Sequence, residues 1–323
     1  MPMLRFRTEG YNGYSLQFSP FIESKISCAT AANFGLVGNG RLFILNAGVG
    51  PNGVQIERIY DTKDGLFDCS WSEVNENQVV TACGDGSIML WDTTLMDFPI
   101  KKWKEHQREV FSVHWNLIKK DSFVSGSWDS AIKLWRPEVS QSLSTFSEHT
   151  ACIYSTIWSP HNPDIFGSAS GDSTFKIWDV KVPRSAQTIR AHNSEILSLD
   201  WNKYQENVIV TGGSVDRMLK VWDLRFLDRE ITCLRGHRYA IRRVKCSPHD
   251  GNIIASASYD MTMRLWNTTL TDPLVEMHDA HTEFVLGVDF NLYIEGQIST
   301  CAWDEHVHIW NSDLLMKRTL PVT

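Results

Sequence analysis

The chain has 323 residues, with 31 Lys and Arg against 38 Asp and Glu and a formal charge of -7. That balance speaks against nucleic acid as a partner, because phosphate contacts need clustered cations, and no run of 18 apolar residues offers a membrane-spanning helix. At 42% hydrophobic residues a core is well supplied, and the anomaly is the count of 13 tryptophans.

In chain order, Met1 to Arg7 contains no apolar stretch of the secretory kind. Leu4-Arg-Phe-Arg-Thr8 reads as a short strand. Asn39-Gly-Arg-Leu-Phe-Ile-Leu45 then aligns with a motif that recurs downstream as Asp129-Ser-Ala-Ile-Lys-Leu-Trp135. From there Trp91, Trp135, Trp178, Trp222, Trp266 and Trp310 follow at spacings of 44, 43, 44, 44 and 44 residues. Six residues before each stands an aspartate: Asp85, Asp129, Asp172, Asp216, Asp260 and Asp304. His106, His149, His192, His237 and His281 each lie nine residues before a bulky or apolar strand position. Internal periodicity of this length marks a repeat architecture.

Within a period the segments alternate as short strands, for example Val110–Trp115, Phe123–Ser127 and Ile132–Trp135, separated by Gly, Ser, Asn and Asp turns. Three inner strands and one outer strand per period make a four-stranded blade. Six regular periods and the degenerate first one predict an all-β, seven-bladed WD40 β-propeller. Leu4–Thr8 should supply the outer strand of blade seven, closing the ring and removing its open edge. Residues 1–323 are read as one domain. The chain ends Leu320-Pro-Val-Thr323, which is not a peroxisomal Ser-Lys-Leu tripeptide. Seven cysteines without a Cys-x-x-Cys pair suit reduced, packed thiols in a cytosolic protein, with no zinc site.

The recurring His and Asp, with hydroxyls four residues before the Asp (Thr81, Ser125, Ser168, Ser256, Thr300), resemble a catalytic triad. An active site occurs once per chain, whereas this set repeats in five blades, so it reads as a scaffold bond network. The off-register histidines, His114, His161, His249, His278, His306 and His308, show no evident partner. No HExxH, Gly-rich phosphate loop or paired-carboxylate spacing is present either. The expectation is a protein that is not an enzyme, with no cofactor and no metal.

The turns before the third strand of each blade should gather at one face of a propeller, around the channel, together with the starts of the innermost strands. The residue preceding each turn Asp is then Gly84, Trp128, Gly171, Val215, Tyr259 or Trp303. The strand entrances add Tyr14, Phe67, Glu109, Phe111, Tyr154, Glu195, Leu197, Arg242, Phe284 and Leu286, with Asp64 beside Phe67. Exposed aromatics on a rim mark a binding surface. The candidate peptide-binding residues are Asp64, Phe67, Glu109, Phe111, Trp128, Tyr154, Glu195, Arg242, Tyr259, Phe284 and Trp303. An aromatic face with acidic points calls for a short segment carrying apolar anchors and at least one Arg or Lys.

The segments Asn33-Phe-Gly-Leu-Val-Gly-Asn-Gly-Arg-Leu-Phe-Ile-Leu45, Tyr60-Asp-Thr-Lys-Asp-Gly-Leu-Phe-Asp68, Glu105-His-Gln-Arg-Glu-Val-Phe111, Ser127-Trp-Asp129 and Ser258-Tyr-Asp-Met-Thr262 carry a more specific likeness. Through them the chain resembles, along its whole length, the family of peroxisomal targeting signal type 2 receptors (peroxin-7). The resemblance implies a cytosolic import receptor that cycles to the peroxisome. Its ligand would be the N-terminal nonapeptide signal of thiolase-like matrix proteins: Arg first, aliphatics at positions two and five, His or Gln at eight, Leu or Ala at nine. Wound as a helix, positions one, five and eight share a face. Asp64 and Glu109 would take the arginine, and Phe67, Phe111, Trp128, Tyr259, Phe284 and Trp303 the aliphatics. The family also implies a co-receptor, for which the rim at Tyr259, Phe284 and Trp303 is the expected shared contact, and a docking complex at the peroxisomal membrane.

One motif points elsewhere. Trp222-Asp-Leu-Arg225 matches the WD-x-Arg signature of substrate adaptors of cullin-4 ubiquitin ligases. Such an adaptor is the alternative reading.

Overall fold

A computed structural model describes residues 3–48, 53–96 and 98–316. The terminal segment Leu320–Thr323, read above for its lack of a tripeptide signal, lies outside the described residues. Among the described residues twenty-eight strands form seven antiparallel four-stranded sheets, each built from strands consecutive in the chain save one. In the exception Leu4–Arg7 pairs with His306–Asn311, placing Leu4 opposite Ile309 and Arg7 opposite His306. The chain's first strand therefore completes its last blade, and the expected closure is realised.

Blade one is complete despite its degenerate sequence, with strands Asn12–Phe18, Lys25–Ala31, Gly40–Ala47 and Val54–Thr62. Leu45 sits opposite Ile26 as Trp135 sits opposite Phe123, so an aliphatic residue fills the tryptophan's place. The innermost strands of blades two to seven are Leu66–Trp71, Val110–Trp115, Ile153–Trp158, Ile196–Trp201, Ile241–Cys246 and Val285–Phe290. Their channel edges would leave N–H groups unpaired, which a buried backbone does not tolerate. Side chains of the preceding blade supply the acceptors. Gln17 takes the Trp71 N–H, Asp68 that of Val113, Ser112 that of Thr156, Ser198 that of Val244, and Asp289 that of Phe18. These bonds tie neighbouring blades at the channel, while seven apolar clusters, each shared by two adjacent blades, pack the sheets into one ring.

The scaffold network appears in five blades. His106 bridges Asp129 at 2.9 Å and Ser125 at 2.8 Å, and Trp135 Nε1 donates to the same Ser125 hydroxyl at 2.8 Å. The same arrangement joins His149, Asp172 and Ser168, and likewise His237, Asp260 and Ser256. Blade seven keeps His281, Asp304 and Thr300, but Trp310 Nε1 has no partner among the described residues, and its indole stacks on His278 at 4.0 Å. In blade five the hydroxyl is Thr211, five residues before Asp216 rather than four. One extra residue in that turn breaks the spacing used to find the others.

All seven cysteines are free, and five are buried. No helix among the described residues is long and apolar enough to cross a membrane.

Candidate functional site

Each innermost strand starts with a β-bulge, and the seven bulged residues are Tyr14, Phe67, Phe111, Tyr154, Leu197, Arg242 and Leu286. A bulge leaves one residue outside the ladder and re-aims its side chain. Here it builds a ring at the channel mouth on one face, called the top. Above it lies a second ring from the turns before the third strands. Its members are fixed by a repeated backbone bond: Trp128 N–H to Glu109 O at 2.9 Å, Gly171 to Cys152 at 2.8 Å, Tyr259 to Ala240 at 3.1 Å and Trp303 to Phe284 at 2.9 Å.

In blade five the same bond is made by Ser214 N–H to Glu195 O at 3.0 Å. Val215, expected to point into this face, is displaced by the extra turn residue and stands 73% exposed, away from the central cavity. The three rim aromatics expected to be exposed, Trp128, Tyr259 and Trp303, are half-buried. Stacking accounts for the covered half: Trp128 lies parallel to Phe111 at 4.6 Å, and Phe284 contacts both Tyr259 at 5.0 Å and Trp303 at 5.2 Å.

The two rings enclose a cavity of about 490 Å³. Nine of the eleven candidate residues line it: Phe67, Glu109, Phe111, Trp128, Tyr154, Glu195, Arg242, Tyr259 and Trp303. Phe284 supports the wall from behind. Asp64 is not among the lining residues; its carboxylate accepts the Gly65 N–H at 2.7 Å and lies where a side chain at Gly84 would stand, beside Phe67. At Gly84 and Gly171 the place of a side chain in the upper ring is taken by neighbours, Asp64 and Phe67 at the first and Glu195, Ala151 and Tyr154 at the second.

An almost continuous aromatic arc runs around the mouth. Tyr154 meets Phe111 at 6.2 Å, Phe111 stacks on Phe67 at 4.5 Å, and Phe67 meets Tyr14 at 4.9 Å. Tyr14 then reaches Trp303 at 5.8 Å. The arc breaks at blade five, where Leu197 and Ser214 stand beside Glu195. The charged groups are distinct in their settings. Glu109 lies 3.5 Å from Arg108, while Glu195 accepts the Tyr154 hydroxyl at 3.1 Å. Burial, with Glu195 adding to it, pushes the Tyr154 phenol up from its ordinary value.

Phe34, Gly35 and Leu36 complete the wall and had no signal in the repeat spacing. They form a short turn in which Asn33, Phe34 and Gly35 all take left-handed φ. The turn is held by Asn12, whose Oδ1 accepts the Phe34 N–H at 2.8 Å, and by Tyr14, whose hydroxyl donates to Phe34 O at 2.6 Å. Phe34 packs on Trp303 at 5.4 Å, tying blade one to blade seven. Leu36 is 86% exposed.

The off-register histidines do have partners. His114 Nδ1 accepts the Trp158 N–H, and His278 Nε2 lies 3.1 Å from His308 Nδ1. His278, His281 and His308 offer ring nitrogens within 4.8 Å of one another. Both nitrogens of His281 are engaged by Asp304 and Thr300, and its ring stacks on His308 at 3.9 Å. Arg225, the basis of the adaptor reading, folds back onto Asp223 through two bonds of 2.9 and 2.7 Å.

Residues 55–92, 98–136, 140–179, 183–223 and 228–267 match the family model "WD domain, G-beta repeat", more than half of the chain. The chain is 56% identical, over 79% of its length and 80% of the relative's, to a peroxisomal targeting signal 2 receptor from Dictyostelium discoideum. The chain belongs to the peroxisomal targeting signal 2 receptor family. It is also 48% identical to the receptor of that name from Saccharomyces cerevisiae, over 45% of this chain and 38% of the relative. The receptor of the same name from Homo sapiens is 48% identical over 43% of each chain. The matches to these two relatives thus span under half of their length, while four fifths of the Dictyostelium relative is covered.

Proposed function

We propose that this protein is an import receptor without catalytic activity that binds type 2 peroxisomal targeting signals in the top-face cavity. The observation that carries the reading is the cavity itself: an aromatic arc with carboxylates at Glu109 and Glu195, on a chain whose relatives are named as receptors for that signal. An amphipathic helical segment fits such a platform, with aliphatic side chains against Phe67, Phe111, Trp128, Tyr259 and Trp303. Its leading arginine is expected at Glu109 and Glu195, which line the cavity, whereas Asp64 does not. Each charge-assisted bond contributes about 1.5–3 kcal/mol.

A nonapeptide helix buries little area, and ordering it opposes binding. A co-receptor that covers the bound signal offsets both, and the apolar rim running from Tyr259 past Phe284 to Val215 and Tyr239 gives it a surface. The complex then delivers thiolase-like cargo from the cytoplasm to a docking complex at the peroxisomal membrane. Fluorescence anisotropy of a labelled signal peptide, with and without a candidate co-receptor, tests the reading. Saturable binding that tightens with the second protein and is lost when the peptide's first Arg becomes Ala supports it; binding indifferent to that Arg contradicts it.

A further inference from the structure

Two consecutive arginines extend from blade six into the channel, and their fates differ. Arg243 Nη2 meets Asp68 Oδ1 at 3.1 Å and is neutralised. Arg242, one ring higher, is 1% exposed and lines the floor of the cavity. Its Nη1 makes a long bond of 3.4 Å to Leu197 O, and its guanidinium lies 5.6 Å from the centroid of Phe111. Its Nη2 has no hydrogen-bond partner, and no carboxylate pairs with it among the described residues. A buried guanidinium with an unsatisfied donor is costly unless something fills that place.

The other six members of the ring are aromatic or aliphatic, and Leu197 and Leu286 occupy the position in the flanking blades. Packing therefore does not demand an arginine here. Guanidinium carries only donors, so the missing partner is an acceptor. Glu109 and Glu195 line the same cavity and disfavour a carboxylate, so a neutral acceptor fits best.

We propose that Arg242 is a specificity-determining residue of the cavity, donating from Nη2 to a neutral side-chain acceptor, an amide oxygen or an unprotonated imidazole nitrogen, of the bound segment. The inference rests on the signal-binding reading, and adds a second polar handle separate from the acid-held arginine. In family signals the eighth position, His or Gln, offers such an atom.

The test is a double-mutant cycle read by anisotropy. The proteins are wild type and Arg242→Leu, and the labelled signal peptides carry Gln or Leu at position eight. A third peptide with its first Arg changed to Ala serves as control. Folding of the variant is checked by circular dichroism and thermal unfolding, with Arg242→Gln as a second variant should the first not fold. The expected result is that wild type loses about tenfold in affinity when Gln becomes Leu, while the variant binds the two peptides equally. Equal losses in both proteins, with binding still dependent on the first Arg, would overturn this inference alone. Binding by wild type that ignores the first Arg would overturn the receptor reading, and the inference with it.

Discussion

Asp68 of blade two and Arg243 of blade six join across the central channel at 3.1 Å, both buried, although 175 residues separate them in sequence. Asp68 also accepts the Val113 N–H at 3.1 Å. Removing one member leaves a buried charge uncompensated, which costs about 3–5 kcal/mol. Arg243→Met is expected to lower stability by that amount in urea unfolding. Asp68→Asn combined with Arg243→Met should cost less than the two single losses added together.

The seam between blades six and seven makes stability depend on pH. Burial, with His281 nearby, lowers His278 to about 4, and burial with His281 and His278 lowers His308 to about 3, while Asp279 and Asp304 oppose the shifts and Arg5 reinforces them. Both folded values lie below the unfolded value of about 6.5. The neutral rings therefore stabilise the fold above about pH 6.5, and that contribution is lost as pH falls toward 4. Replacing His278→Phe, which keeps a ring on Trp310, and His308→Leu should flatten the pH dependence of the melting temperature across that window. An unchanged slope would assign it to other groups.

Carboxylates act at lower pH. Burial pushes Asp129 up, but bonds from His106 and the N–H groups of Gln107 and Ala131 outweigh it and hold the group at about 2. Its stabilisation is present above the unfolded value of about 3.9 and is lost as pH falls through 2. Asp129→Asn is expected to lower the melting temperature at pH 7 and to remove part of the acid limb below pH 4.

The architecture was legible in the sequence because the Asp and Trp markers keep one period through six blades, and because Asn39–Leu45 of blade one still aligns with Asp129–Trp135 after losing both markers. The closing strand was legible because a ring of strands needs a partner for its last edge. Thr211 and Ser214 were not, since a one-residue insertion before Asp216 leaves the Asp-to-Trp spacing intact while shifting what precedes it. The Phe34 turn is defined by left-handed backbone and by contacts to Asn12, Tyr14 and Trp303, none of which has a spacing signature. The bond from Gly65 to the Asp64 carboxylate likewise depends on its own backbone loop, and the setting of Arg242 on Leu197 and Phe111 of other blades.

Gly35 tests that turn. A Cβ there would sit 2.5 Å from the Tyr14 hydroxyl and 2.9 Å from Phe67, at a φ of +68°. Gly35→Ala should destabilise the protein by about 1–3 kcal/mol and weaken signal binding by moving Phe34. Leu36→Asp, at an exposed site, should weaken binding without changing the melting temperature.

A top-face cavity that holds the signal's arginine at Glu109 and Glu195 should read the sign of the peptide's first residue. The most direct measurement is a charge swap: affinities of wild type and of the Glu109→Lys, Glu195→Lys variant for peptides that begin with Arg or with Glu. Wild type is expected to prefer the Arg peptide by about tenfold or more, and the variant to reverse the preference. A variant that still folds and still prefers Arg as strongly as wild type would contradict it.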